Sequence, residues 1–346
     1  MNNKSLFKLF GLFLFILVTL LVLPSVFAET NVTNCGTTLS TANETYTLNR
    51  SLTTAGNCLT ISADDINLDL KGFNISSSAT GDTTGVIISG ANRIIIKNGA
   101  INDFFNLISG GNHTTITNMT LRTYANFGFG IPEIHGINAY DNARIIDNTF
   151  LRIQNTGGSA GVGDTAIVIL GTNVTIINNK ISITSNGIYG GDSLYVFNNT
   201  IVDTSLAGIR IRNSHNRYIN NTLINTTNAL VFEVSQIINN SFVNLKFDNT
   251  TDYDLVISSG SIINETLVED SNIEKYNLAS GFANLFTFRN TKFGEVKFLQ
   301  AINGSGTNLT NDIRIQNNSI NVESSNNIGL NKSANITLYG IGERGL

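Results

Sequence analysis

Ten short segments share one pattern: I-K-N-G-A-I (96–101), I-T-N-M-T-L (116–121), I-D-N-T-F (146–150), I-N-N-K-I (177–181), F-N-N-T-I (197–201), I-N-N-T-L (219–223), I-N-N-S-F (238–242), I-N-E-T-L (263–267), F-R-N-T-K-F (288–293) and I-Q-N-N-S-I (315–320). Each sets an apolar residue two before a polar pivot and another two or three after it. The pivots are Asn98, Asn118, Asn148, Asn179, Asn199, Asn221, Asn240, Glu265, Asn290 and Asn317. They recur about every 24 residues, the period of a solenoid. A second short apolar strand keeps phase with the first, opening at Gly85, Asn106, Gly136, Ala166, Gly187, Gly208 and Ala229.

Two β-rich segments per period, joined by Gly, Asn and Ser turns and with no helix-length amphipathic stretch after residue 28, describe a coil of strands. Stacked coils form parallel sheets at about 4.8 Å per turn. Asn suits the pivot because it tolerates the left-handed backbone of a tight corner, and because its amide both donates and accepts. Nine of the pivots, Asn98, Asn118, Asn148, Asn179, Asn199, Asn221, Asn240, Asn290 and Asn317, are therefore expected to form a ladder from coil to coil. Inward Ile, Val, Leu and Phe build the core, and outward Thr, Ser and Asn solvate the faces. A leucine-rich repeat would show a repeated L-x-x-L-x-L pattern, which is missing.

Pivoted I-x-N-x-x-I repeats behind a leader resemble the right-handed parallel β-helix proteins of the pectin-lyase-like superfamily, including the NosD-type repeat proteins. The segment D-D-I-N-L-D-L-K-G-F-N-I (64–75) resembles the opening coil of that group, and the likeness covers about residues 60–320. The right hand and a three-sheet cross-section are what the resemblance implies. The fold class read from the chain is all-β: a single-stranded right-handed parallel β-helix of about ten or more coils with an N-terminal cap.

Outward from the repeat, residues 1–28 carry Lys4 and Lys8, an apolar run from Leu9 to Leu23, and Pro24 before V-F-A, the pattern of a signal peptide. An uncleaved membrane anchor is the alternative; no second apolar run of spanning length follows. Export makes a Cys35–Cys58 disulfide the expected state of the two cysteines, within an N-terminal cap over residues 29–60. Residues 61–320 are read as the β-helix and 321–346 as a C-terminal coil or incomplete cap. His113, His135, His215 and Met119 are scattered, so no metal site is read for soft ligands. Eighteen Asn-x-Ser/Thr triplets follow residue 28, and part of that excess belongs to the repeat itself.

The 346 residues carry a formal net charge of −4, with 13% charged and 41% hydrophobic residues, 51 Asn and no Trp. That balance excludes a basic nucleic-acid footprint and a highly charged disordered chain. Two adjacent coils carry about ten extra residues each, at Arg122–Ile134 and Arg152–Asp164, and both insertions precede the second strand. Loops on a rigid scaffold are where function is grafted. Beside them an outward strip is expected at Asn138, Val168, Tyr189, Arg210 and Val231. The candidate polymer-binding face comprises Tyr124, Phe127, Phe129, Asn138, Asp164, Tyr189, Asp192, Arg210 and Arg212.

For chemistry, a glycosidase needs a close pair of carboxylates. Asp141, Asp192 and Glu233 are read as equivalent positions, but two coils apart. R-I-R (210–212) resembles the R-I-K of polygalacturonases, yet the chain has no matching N-T-D, paired D-D and G-H-G elements in order. The acidic stretch 248–254, with Glu265, Glu269, Asp270 and Glu274, reads as a solvated flank; a Ca²⁺ site is its alternative, and no cofactor is expected. The sequence thus points to a secreted or cell-surface protein with a structural or adhesive role, whose partner is an extracellular polysaccharide or surface glycoprotein. A polysaccharide lyase or glycoside hydrolase on the same face is the rival reading.

Overall fold

The computed structural model describes residues 29–79, 81–125, 133–155, 163–233, 236–258, 261–278, 284–325 and 327–340, with the backbone alone at 124 and 125. The leader expected over residues 1–28 lies outside them. Thirty-two of the described strands join one sheet wound into coils, and each coil lays strands on three faces in turn. The first face stacks Arg144–Ile146, Thr175–Ile177, Tyr195–Phe197, Arg217–Ile219 and Ser241–Val243 in parallel. A second stacks Thr149–Asn155, the start of Lys180–Asp192, the start of Thr200–Ile211, Thr222–Ile224 and Lys246–Asp248. The third carries His135–Ala139, Thr165–Thr172 and their successors to Tyr253–Ile257.

On a three-residue strand alternation turns only the middle side chain inward. Ile145, Ile176, Val196, Tyr218 and Phe242 therefore stack inside the first face, and Phe150, Ile181, Ile201 and Leu223 inside the second; all are buried. Ile137, Ile167, Ile188, Ile209 and Leu230 line the third. Each of the aliphatic and Phe side chains among them contributes about 1.5–3 kcal/mol by leaving water. The apolar residues two before the pivots divide: Ile146, Ile177, Phe197 and Ile219 face outward and are half-buried, whereas Ile96, Ile116, Ile263 and Phe288 are buried in the core.

The corners explain the asparagines. At the corner between first and second faces Asn98, Asn118, Asp147, Asn178, Asn198, Asn220 and Asn244 all adopt φ between 50° and 60°, the left-handed region Asn tolerates best. These residues form an exposed outer ladder, with Asn118 Nδ2 donating to Asn98 Oδ1 at 2.9 Å and Asn198 Nδ2 to Asn178 Oδ1 at 2.9 Å. One residue on, a buried inner ladder links Asn148 to Asn179 (3.1 Å), Asn179 to Asn199 (3.0 Å) and Asn199 to Asn221 (3.0 Å), each Nδ2 donating to the next Oδ1.

The nine expected rungs thus divide. Asn98 and Asn118 stand in the outer ladder and Asn148 to Asn221 in the inner one. Asn221 aligns in the next coil with Leu245, because Thr222 pairs with Lys246. Asn240 instead sits at the corner between third and first faces, where its Oδ1 accepts from Asn216 N at 2.9 Å. Glu265, at φ 50°, follows Asn239 at that same corner. Asn290 and Asn317 occupy turns of antiparallel hairpins. The reason is that N-N-S/T serves two different corners equally well, so sequence alone cannot separate them. The same chemistry supplies many Asn-x-Ser/Thr triplets, since Asn118, Asn173, Asn198, Asn220, Asn225, Asn239 and Asn249 are all left-handed corner residues.

The segment 29–60 already supplies coil strands, with Glu29–Val32 parallel to Thr45–Leu48 and Thr37–Leu39 parallel to Leu59–Ile61. The Cys35–Cys58 disulfide ties that first turn. At the other end parallel pairing stops with Asn284–Asn290, short of residue 320. Gly294–Phe298 folds back antiparallel, Ala334–Leu338 adds a further antiparallel strand, and a hairpin of Ile313–Gln316 with Ser319–Val322 lies beside them. Among the described residues no helix is long and apolar enough to cross a membrane.

Candidate functional site

Strand pairing brings the expected outward strip into register: Asn138 aligns with Val168, Val168 with Tyr189, Tyr189 with Arg210 and Arg210 with Val231. The insertions flank it. Ala125 pairs with Asn155, the last described residues before each loop, and His135 pairs with Thr165 just after. Both loops therefore leave and rejoin successive coils at one corner. Phe127 and Phe129 lie outside the described residues, and Tyr124 contributes its backbone to the strand Thr115–Ala125.

The strip is not evenly exposed. Asn138, Val168 and Val231 are buried to 9% exposure or less, whereas Tyr189, Arg210 and Arg212 form its open part. The Arg210 guanidinium lies 5.0 Å from the Tyr189 ring centroid, within cation–π range. Arg210 also bonds the Glu233 carboxylate through Nη2 and donates through Nη1 to Asn186 Oδ1 at 3.4 Å. Arg212, exposed, approaches the same ring at 5.2 Å and bonds the Tyr189 hydroxyl. One aromatic ring is thus approached by two guanidiniums, Arg210 bonded to a carboxylate and Arg212 exposed at the Tyr189 hydroxyl.

Asp164 does not face a partner polymer. It is 2% exposed, and its two oxygens accept from Ile134 N at 3.1 Å and Asn155 N at 2.9 Å. It therefore pins the return of one insertion to the departure of the other. Burial pushes its carboxyl above the usual range. Asp192 stands apart from the strip at the next corner, 3.4 Å from His215 Nδ1. Glu233 is not equivalent to Asp141 and Asp192, because the pivot it was counted from changes corner; it lies beside Arg210 instead.

From sequence, His135 is weighed only as a scattered soft ligand, not as a neighbour of the insertions. Its Nε2 stands 3.9 Å from the Glu133 carboxylate, and the end of that side chain packs over Gly163. The available signal was H-G-I-N (135–138), directly before the first strip residue. Burial lowers the His135 pKa, so the folded protein resists charging it. Its contribution to stability is present above pH 6.5 and is lost as pH falls through the lower folded-state value. Melting temperatures are expected to drop between pH 7 and pH 5, and to drop less in His135→Gln; an equal drop in both proteins contradicts this assignment.

The acidic stretch divides: Asp248, Asp252, Glu265 and Glu274 are exposed, while three acids are tied into the fold. Asp254 accepts from Glu274 N at 2.7 Å, Glu269 pairs with Arg289 at 3.0 Å and Asp270 accepts from Thr291 N at 3.0 Å. Among the described residues no three His, Cys, Asp or Glu side chains converge as metal ligands would.

No family model matches the chain, and no curated protein sequence matches it. Solved structures do. An exopolygalacturonase from Thermotoga maritima is similar over 81% of this chain and 87% of its own, at 11% identity and a TM-score of 0.56. The A-module of a mannuronan C-5 epimerase from Azotobacter vinelandii covers 70% and 75% at 10% identity with a TM-score of 0.48. A surface adhesin of Streptococcus pneumoniae covers 81% and 90% at 11% identity with a TM-score of 0.46. At such identities the likeness is one of fold. The coil geometry and the likeness to the exopolygalacturonase together give this chain the fold of a right-handed parallel β-helix.

Proposed function

We propose that the protein is a secreted or cell-surface β-helix with an adhesive or structural role, contacting glycans or other surface polymers through its third face. The observation that carries this reading is the Tyr189–Arg212 platform, an open aromatic and guanidinium pair on a rigid strip beside two tethered loops. Tyr and Arg together supply a stacking surface and fixed donors, which suit hydroxylated or acidic sugars. A lyase or hydrolase on this face is the weaker reading. Acid–base cleavage needs carboxylates free to exchange protons with substrate; here Asp164 is buried on backbone N–H groups and Glu233 is held by Arg210, which leaves Glu133 beside His135 as the carboxylate that reading would use. The disulfide agrees with an oxidising location.

The test is binding of the purified protein to an array of extracellular polysaccharides, repeated with Tyr189→Ala and Arg212→Ala. At least one polysaccharide is expected to bind, with affinity falling about tenfold in each variant, the scale of a hot-spot side chain. Binding that both variants retain in full, or none by the parent protein, would remove this face from the account.

A further inference from the structure

The first face carries an unusual outward row. Strand pairing aligns Ile146, Ile177, Phe197, Ile219 and Val243 across five successive coils, and all five are half-buried on the solvent side of the sheet. Outward positions of a solvated sheet are normally polar. Tyr195, two residues before Phe197 and also outward, lies parallel to it with ring centroids 6.0 Å apart and planes 8° apart. A continuous apolar row in place of the polar residues of a solvated sheet offers a narrow, flat contact surface.

Charge completes the description. The row continues to Asp69 and Lys97 at one end and to Glu269 and Arg289 at the other, where the ions pair with each other. Along the stripe itself the cations are differently placed. Arg144 and Arg217 lie in the neighbouring row of the same face, and Lys180 and Lys246 lie across the Asn corner. All four are exposed, and among the described residues none has an ion-pair partner. The acids interleaved with them are Asp147, whose Oδ1 accepts from Asn178 Nδ2 at 3.0 Å, and the exposed Asp248 at the end of the strand that Lys246 opens. A chain of net charge −4 has gathered unpaired positive charge along one apolar line.

We infer that the first face binds an acidic polysaccharide chain lying along this stripe, pyranose faces against Phe197, Tyr195 and the isoleucines, and acid groups towards Arg144, Arg217, Lys180 and Lys246. Size decides against a second copy of the protein. Five coils at about 4.8 Å and strands of about 10 Å give a patch on the order of 250 Å², against about 800 Å² per partner in a stable protein complex. Flatness decides against a bilayer, since half-buried side chains present no wedge to insert among acyl chains. A narrow, flat, acidic polymer satisfies both the stripe and the charges.

The inference stands independently of the third-face reading, and its test separates the two. Migration of the purified protein is measured in native gels containing carboxymethylcellulose or the neutral hydroxyethylcellulose, alongside sedimentation with phosphatidylglycerol vesicles. Carboxymethylcellulose is expected to retard the protein, at least fivefold more strongly than the neutral polymer and less as salt is raised. The pair Phe197→Ser and Arg217→Ser should abolish that retardation with an unchanged melting profile, while Tyr189→Ala and Arg212→Ala on the third face leave it intact. Three results overturn the inference: no retardation of the parent protein, retardation lost only in the third-face variants, or binding to vesicles in place of the polymer.

Discussion

Asn199→Ala is expected to lower unfolding stability by about 3–5 kcal/mol, as several buried polar groups lose their partners together. Asn199 Oδ1 accepts from both Asn179 N (2.8 Å) and Asn179 Nδ2 (3.0 Å), and its own Nδ2 donates to Ile176 O (2.9 Å) and Asn221 Oδ1. Alanine strands all of these inside the coil, where exposure at Asn199 is 1%. The preceding residue supplies the control. Asn198 is exposed at φ 54°, so Asn198→Ala loses one exposed rung and left-handed tolerance, about 1–2 kcal/mol. Urea denaturation of the two single variants measures the difference. Equal costs would mean that the inner ladder contributes no more than a surface corner does.

The second large effect is expected at Asp164. Asp164→Ala leaves Ile134 N and Asn155 N without their acceptor in a buried setting, at about 1–3 kcal/mol for each donor. The loss should be local as well as global, because these amides bracket both insertions. Faster hydrogen exchange at 134 and 155 is expected, and Asp164→Asn, which keeps one carbonyl acceptor, should restore about half of the stability. Sign adds a check. The Asp164 pKa is raised by burial, so its ionised form carries a cost that grows as pH rises through the folded value. The stability it contributes is therefore greatest below the unfolded carboxyl pKa, opposite in direction to His135. Asn155 exchanging as slowly in Asp164→Ala as in the parent protein would contradict the tie.

Much of the fold was legible because every coil repeats the same solution. A buried centre in each short strand and a left-handed residue at each corner leave a period of about 24 residues, and the two long steps show both insertions. The orientation within a strand was less legible. In I-I-N-N (176–179) adjacent isoleucines have opposite fates, Ile176 buried and Ile177 outward, and only the position of the corner decides between them. The ladder blurred for a related reason: Asn220–Asn221 and Asn239–Asn240 read alike but turn different corners.

Of the candidate site, the strand register was legible. The alignment of Tyr189 with Arg210 follows from counting residues between small starter residues, and the strands pair in that register. What each charged group does there depends on partners a coil away. Arg210 is committed to Glu233 across a separation of 23 residues, and Asp164, an apparent ligand beside a glycine-rich run, is a buried tie. The apolar stripe was present in the sequence throughout, hidden among residues assigned to the core.

The central claim is that the third face recognises a polymer without cleaving it. The measurement that reaches it most directly is product release, by reducing ends and by the absorbance of unsaturated uronides, when the purified protein is incubated with the polysaccharides it binds. Binding with no release is the predicted result. Release that Arg210→Ala or Glu133→Gln abolishes, in variants that remain folded, would contradict the account and place an active site beside the insertion loops.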